Sequence, residues 1–260
     1  MKYLFGITFA LYGYYMANAH LEQSLGDYWD SVAFYVVLFG TISVLIITFP
    51  SDSLKALTRA FAGKFFKLSD SLFVSANRCA GVATSGQPMK TIKSFEDGLL
   101  NDGVELISLG FSRDDIEEIL FQRYQNYNRK INLLVGWLKR NSKYPPAFGL
   151  SGTVLGLIHL MRGISIGIDA KEVGIRMAVA LVATLYGLII SNLVLNPLGE
   201  WLAEELKRDE VKAEMAIQSI LSLKENSNVL EVQEMLNSYL DPSRRLNLVA
   251  QSLSTEQFNQ

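Results

Sequence analysis

Charge is scarce in this 260-residue chain. Asp, Glu, Lys and Arg make up 19% of it, against about 25% in an ordinary soluble domain. Hydrophobic residues make up 49%, so a wholly soluble enzyme is disfavoured at once. The one cysteine, Cys79, excludes an internal disulfide and a cysteine-based zinc site. Only two histidines occur, His20 and His159, too few for a histidine-rich metal centre. Positive charge is not in excess: 24 Lys and Arg against 26 Asp and Glu argue against a nucleic-acid partner. Walker, GxGxxG, HExxH and GxSxG patterns are missing. Nothing supports hydrolysis or group transfer, so no enzymatic activity and no cofactor are expected.

The shortage of charge is concentrated in four apolar stretches. A membrane-spanning helix needs roughly 20 mostly apolar residues. Residues 3–21, 31–50, 144–161 and 177–199 meet that need. The expected fold class is therefore an all-α polytopic membrane protein with four transmembrane helices. The first stretch has a second reading as a cleaved signal peptide, because Ala17-Asn18-Ala19 resembles a cleavage site. Tyr12, Tyr14 and Tyr15 suit a helix that stays and packs. Lys and Arg placement sets the orientation. The loop from Glu22 to Asp30 has none, whereas residues 51–143 have fourteen, among them Lys55, Arg59, Lys64 and Lys67. Both termini and both large polar regions are expected in the cytoplasm. Arg162, Lys171 and Arg176 in the second outer loop run against the rule.

The expected divisions are a transmembrane hairpin over 1–50, a helical cytoplasmic loop over 51–143, a second hairpin over 144–199, and cytoplasmic helices with a disordered tail over 200–260. From Ser112 the apolar positions Ile116, Ile119, Leu120, Tyr124, Tyr127, Ile131, Leu134, Val135 and Leu138 follow the spacing of one helix face. Ser112 and Asp115 give a capping start, and Pro145-Pro146 an expected stop. Gly81 to Pro88 reads as a turn. Asn226 to Asn228 breaks the helix after the fourth span, and a short helix over 229–240 ends at Asp241-Pro242.

Two spans carry stripes of small and hydroxylated residues. Gly149, Gly152, Thr153, Gly156 and His159 share a face in the third; Ala180, Thr184, Gly187 and Ser191 share one in the fourth, with Ala183 alongside. Such stripes either pack helices closely or wall a pore or partner helix. Pro146 and Pro197 stand at the inner ends of these spans, and Pro197 is expected to kink its helix. No Asp or Glu lies inside any span. Membrane cation sites normally use a carboxylate, so a moving cation would need one from another chain.

The run PPAFGLSGTVLGLIHLM and the later AVALVATLYGLIISNLVLNPLGEWL resemble the MotA/TolQ/ExbB family, in its MotA branch of flagellar motor stators. SLGDYWDSVAFYVVLFGTISVLIITFPSDSLKAL, LLNDGVELISLGFSRDDIEEIL and NVLEVQEMLNSYLDPSRR extend the resemblance to nearly the whole chain. Four spans favour this branch over the three-span ones.

The resemblance implies a homo-oligomeric ring, a pentamer in the family, around a MotB-type partner that supplies the intramembrane aspartate. Proton or sodium flow would drive the ring against a rotor of the FliG type, in the bacterial inner membrane. It implies an ion-path role for Thr153 and Thr184 and a coupling role for Pro146 and Pro197; Gly149, Gly152, Gly156, Ala180 and Gly187, read from the stripes themselves, are the expected pathway or partner-facing residues beside them. Two charges that usually face the rotor are replaced by Asn101 and Leu109, so Asp97, Asp102, Glu105, Arg113, Asp114 and Asp115 become the rotor-facing candidates. The alternatives are a TolQ/ExbB-like energiser of another envelope machine and a non-conducting membrane scaffold.

Overall fold

A computed structural model describes residues 2–20, 29–50, 72–89, 91–92 and 94–248. Glu22, Asp27, the basic group Lys55, Arg59, Lys64 and Lys67, and the polar last dozen residues lie outside the described residues. Every element among the described residues is helical. In chain order these are α1 (Lys2–His20), α2 (Ser31–Ile47), α3 (Leu72–Ser85), α4 (Phe95–Ser108), α5 (Arg113–Asn141), α6 (Tyr144–Ser165), α7 (Ala170–Ile189), a π-helical turn (Ile190–Leu195), α8 (Asn196–Lys224), α9 (Val229–Asn237) and a 3-10 turn (Pro242–Arg244).

The helical runs Arg113–Ser165 and Ala170–Lys224 each hold a stretch long and apolar enough to cross a membrane. α2 is apolar but has 17 residues. The tyrosines and polar residues of α1 dilute its apolar character.

The chain forms two compact units, residues 1–54 with 133–203 and residues 55–132 with 204–260. In the first, α2 packs on the α6–α7 hairpin. The side chain of Asp30 caps α2 by accepting from the Ala33 amide at 2.6 Å. The backbone amide of Asp30 donates to the Tyr186 hydroxyl on α7 at 3.0 Å. The hairpin turns at Gly167, whose φ of 86° is open to glycine, and Asp169 caps α7 through the Glu172 amide. Arg176 is engaged within the hairpin: Nε pairs with Glu172 at 2.9 Å and Nη1 donates to the His159 carbonyl at 3.3 Å. That use accounts for one of the three basic residues that run against the orientation rule.

The second unit has a conventional apolar core. Leu99, Leu100, Ile116, Leu120, Met215, Ile220, Leu221 and Leu236 are fully buried. Gly103 lets α4 approach α8, since a Cβ there would meet Ile220. α5 starts as its pattern predicts, with the Asp115 amide donating to Ser112 Oγ at 3.2 Å and Ser112 Oγ donating to Asp115 Oδ2 at 2.6 Å. It ends at Asn141, before the prolines, and Pro145-Pro146 open α6 instead. Proline suits a first helical turn, where amides lack partners in any case. α3 continues to Ser85, so the expected turn begins only at Gly86, with φ 66°. Asn226, with φ 54°, makes the break before α9, and α9 stops at Asn237, three residues short of the expected 240.

Candidate functional site

The two small-residue stripes meet each other. A Cβ on Gly149 would stand 2.8 Å from the Ala183 carbonyl oxygen and 3.0 Å from Thr184 Cα. One on Gly152 would stand 2.7 Å from the Ala183 methyl, and one on Gly156 2.7 Å from that of Ala180. At Gly187 it would press on the Pro145 carbonyl and stand 3.0 Å from Pro146 Cα. Gly149, Gly152, Ala180 and Gly187 are buried between α6 and α7. The space beside these four, and beside Gly156, is filled by the neighbouring helix of the same chain, as a packing seam requires. His159 is off the seam and exposed.

Thr153 and Thr184 lie in the seam, half-buried. Their hydroxyl oxygens are 2.6 Å apart. Thr153 Oγ1 donates to the Ala180 carbonyl across the seam at 2.8 Å. Gly149 O lies 3.2 Å from Thr153 Oγ1 and 3.5 Å from Thr184 Oγ1. Each hydroxyl has one hydrogen. With Thr153 committed to Ala180, the bond between the pair is donated by Thr184. Thr184 Oγ1 then keeps acceptor capacity for a cation or water. α6 contains no carboxylate, and α7 only Glu172 in its first turn.

Pro146 and Pro197 both sit beside helix interruptions. Pro146 follows the Ser142-Lys143 break. Pro197 follows the π turn, in which the helical ring is wider than in an α-helix. Ser191 Oγ in that turn donates to the Ser142 carbonyl at 2.5 Å. Below the break, Trp137 Nε1 donates to Thr48 Oγ1 at 3.1 Å, and Asn141 Nδ2 to the Trp137 carbonyl at 2.8 Å.

In the second unit the six candidate charges separate. Asp97 is fully buried: Arg78 Nη1 lies 3.0 Å from both its carboxylate oxygens, and it completes the capping box of α4 with Ser94. It is therefore not a surface charge, because its carboxylate is consumed by the fold. Asp102 pairs with Arg123. Arg113 pairs with Glu225 and, at 3.0 Å, with Glu117, and the adjacent Glu225 holds its guanidinium still more firmly protonated. Glu105, Asp114 and Asp115 are exposed.

Sequence reading missed the buried polar network around Arg78. Glu96 accepts from Ser75 at 3.1 Å and lies 3.9 Å from Lys212 Nζ. Tyr127, stacked on Phe95 with centroids 4.0 Å apart, donates to Asp209 at 2.7 Å. Burial and that carboxylate push the Tyr127 hydroxyl pKa well above its ordinary value. The available signal was an arginine inside the small-residue run ANRCAG. Asn101 also has a structural role. Its side chain accepts from the Met89 amide at 2.7 Å and donates to the Met89 carbonyl at 3.0 Å. A basic side chain has no acceptor for the first of these bonds. Leu109 is exposed on the α4–α5 turn.

Residues 91–215 match the family described as the MotA/TolQ/ExbB proton channel family. The matched region takes in α4 to α7, the π turn and most of α8, and so holds the whole seam. Motility protein A of Borreliella burgdorferi is 26% identical over 90% of this chain and 91% of its own length. Chemotaxis protein PomA of Vibrio alginolyticus is 24% identical over 86% and 89%. Among solved structures, the flagellar MotAB stator complex of Bacillus subtilis has a chain that superposes with a TM-score of 0.75, at 22% identity, covering 94% of this chain and 98% of that one. The C. jejuni MotAB structure gives 0.75 at 15% identity, covering 95% and 98%. These structural likenesses establish the shared all-helical fold.

Proposed function

We propose that the chain is the MotA-type stator subunit of a flagellar motor, working in the bacterial inner membrane with a MotB-type partner. The observation that carries the reading is the Thr153–Thr184 hydroxyl pair in a membrane-length hairpin without a seam carboxylate. Such a hairpin lines part of an ion path and leaves the ion-binding carboxylate to another chain. The names of the relatives, Motility protein A and PomA, and of the MotAB complexes support the same assignment.

In this reading the four stretches 3–21, 31–50, 144–161 and 177–199 are the spans, both termini are cytoplasmic, and a ring of copies surrounds the partner helices. Exposed apolar residues such as Val32, Phe39, Leu150, Val154, Ile158 and Leu181 then meet lipid or other membrane helices. The glycines and alanines of the seam hold the hairpin together, and the threonines supply oxygens to a proton-carrying water or a sodium ion. Pro146 and Pro197 are the coupling positions. Asp102, Glu105, Arg113, Asp114 and Asp115 are the remaining rotor-facing candidates, opposite a FliG-type protein.

The test is ion flux in vesicles. The chain alone is expected to leave a proton or sodium gradient intact, and to dissipate it only with a MotB-type partner freed of its plug. Robust conductance by the isolated chain overturns the reading.

A further inference from the structure

We propose that Ser191 is a positioning residue that ties the two helix interruptions of the hairpin into one body. It does so by giving the Ser142 carbonyl a hydrogen bond that Pro145 and Pro146 cannot supply. The functional half of this inference rests on the stator reading above.

The argument begins with the backbone. In a continuous α-helix the carbonyl of Ser142 would accept from the amide of residue 146, and in a tighter 3-10 turn from residue 145. Both are proline and have no N–H. Ser142 is buried, so water is a poor substitute. Ser191, also buried, fills the vacancy with its hydroxyl at 2.5 Å. A serine inside a helix ordinarily bonds back to the carbonyl four residues earlier, here Gly187, yet this one is directed to the other helix. Gly187 makes that approach possible, because any Cβ there would press on Pro145.

Ser191 also belongs to the second interruption. Its own carbonyl accepts from the Asn196 amide, five residues on, in the wide ring that precedes Pro197. One residue thus serves both breaks, its carbonyl closing the π turn and its hydroxyl holding the start of α6. Movement at either proline passes to the other through this contact.

Two measurements test the tie. With a MotB-type partner, Ser191→Ala is expected to leave ion flux of the unplugged complex near the wild-type value and to lower swimming speed about fivefold, the worth of one hydrogen bond. Ser191→Cys, with a weaker donor, is expected to fall between. Unchanged speed, or flux and speed falling in proportion, overturns the coupling role. In the purified chain, Ser191→Ala is expected to raise amide exchange over residues 190–196 by about tenfold. Unchanged exchange overturns the tie itself, whatever the motor does. A wild-type complex that passes no ion overturns the stator reading instead, and the exchange result then decides the tie alone.

Discussion

The two units are held together by opposite means. Around the α6–α7 seam, contact comes from side chains that are missing: Gly149, Gly152, Gly156 and Gly187 let backbone meet backbone, and hydroxyls bond to carbonyls across the gap. In the second unit, contact comes from large side chains, with Leu99, Leu100, Leu120 and Ile220 packed around α3, α4 and α9. In the stator reading the difference follows from the solvent. Lipid tails are as apolar as leucine, so helices in a bilayer gain little from burying leucine and associate through close packing and hydrogen bonds. In water the burial of apolar area is itself the driving force. The second unit also buries a charge network, which a hydrocarbon setting would make still more expensive.

The largest expected effect tests that network. Arg78→Ala removes a guanidinium partner from Asp97 and from Glu96, leaving buried carboxylates with weaker compensation. A cost of about 3–5 kcal/mol is expected, read as a lower unfolding midpoint in denaturant. A loss below about 1 kcal/mol would place the network at the level of surface ion pairs and remove the contrast.

The seam comes next. Gly149→Val puts a branched side chain against the Ala183 carbonyl and the Thr184 backbone. Overpacking of this kind costs about 1–3 kcal/mol. The thermal midpoint of the detergent-solubilised protein is expected to fall, whereas Gly136→Val, where a Cβ meets nothing within 4 Å, serves as the control. Equal midpoints for the two variants would show that close approach does not hold the hairpin.

The third prediction concerns alkaline pH and the second unit. Burial pushes the Cys79 thiol up from 9.0 to about 12, and burial likewise takes the Tyr124 hydroxyl from 10.0 to about 12. The unfolded chain therefore releases these protons first. Stability is complete below pH 9 and declines as pH rises towards 12. Each unit of pH crossed by the thiol costs about 1.4 kcal/mol. Denaturant midpoints at pH 8 and 10.5 measure the slope, and Cys79→Ala is expected to flatten it. An unaltered slope would assign the whole alkaline loss to other groups.

The smallest effect on stability is expected at Thr153. Thr153→Ala deletes two hydrogen bonds with little volume, for a net loss of about 1–2 kcal/mol, yet rotation is expected to suffer far more than stability. Swimming speed against external sodium separates the ions. Partial recovery at high sodium assigns the hydroxyl to a sodium site, and indifference to sodium assigns it to a proton-carrying water.

Composition and periodicity determined a good deal by themselves. They located the apolar stretches, the start of α5 at Ser112, the break near Asn226, and the faces carrying Gly149, Thr153, Ala180 and Thr184. Each of these depends on neighbours within a few turns. A helical period identifies which residues share a face, but not what that face meets. Only the tertiary structure decided that the two stripes meet each other. It likewise decided that Asp97 is buried against Arg78, 19 residues away, and that the hydroxyl of Ser191 reaches Ser142, 49 residues away. Contacts at that separation depend on how helices approach one another, and the approach is set by the volumes of many side chains at once.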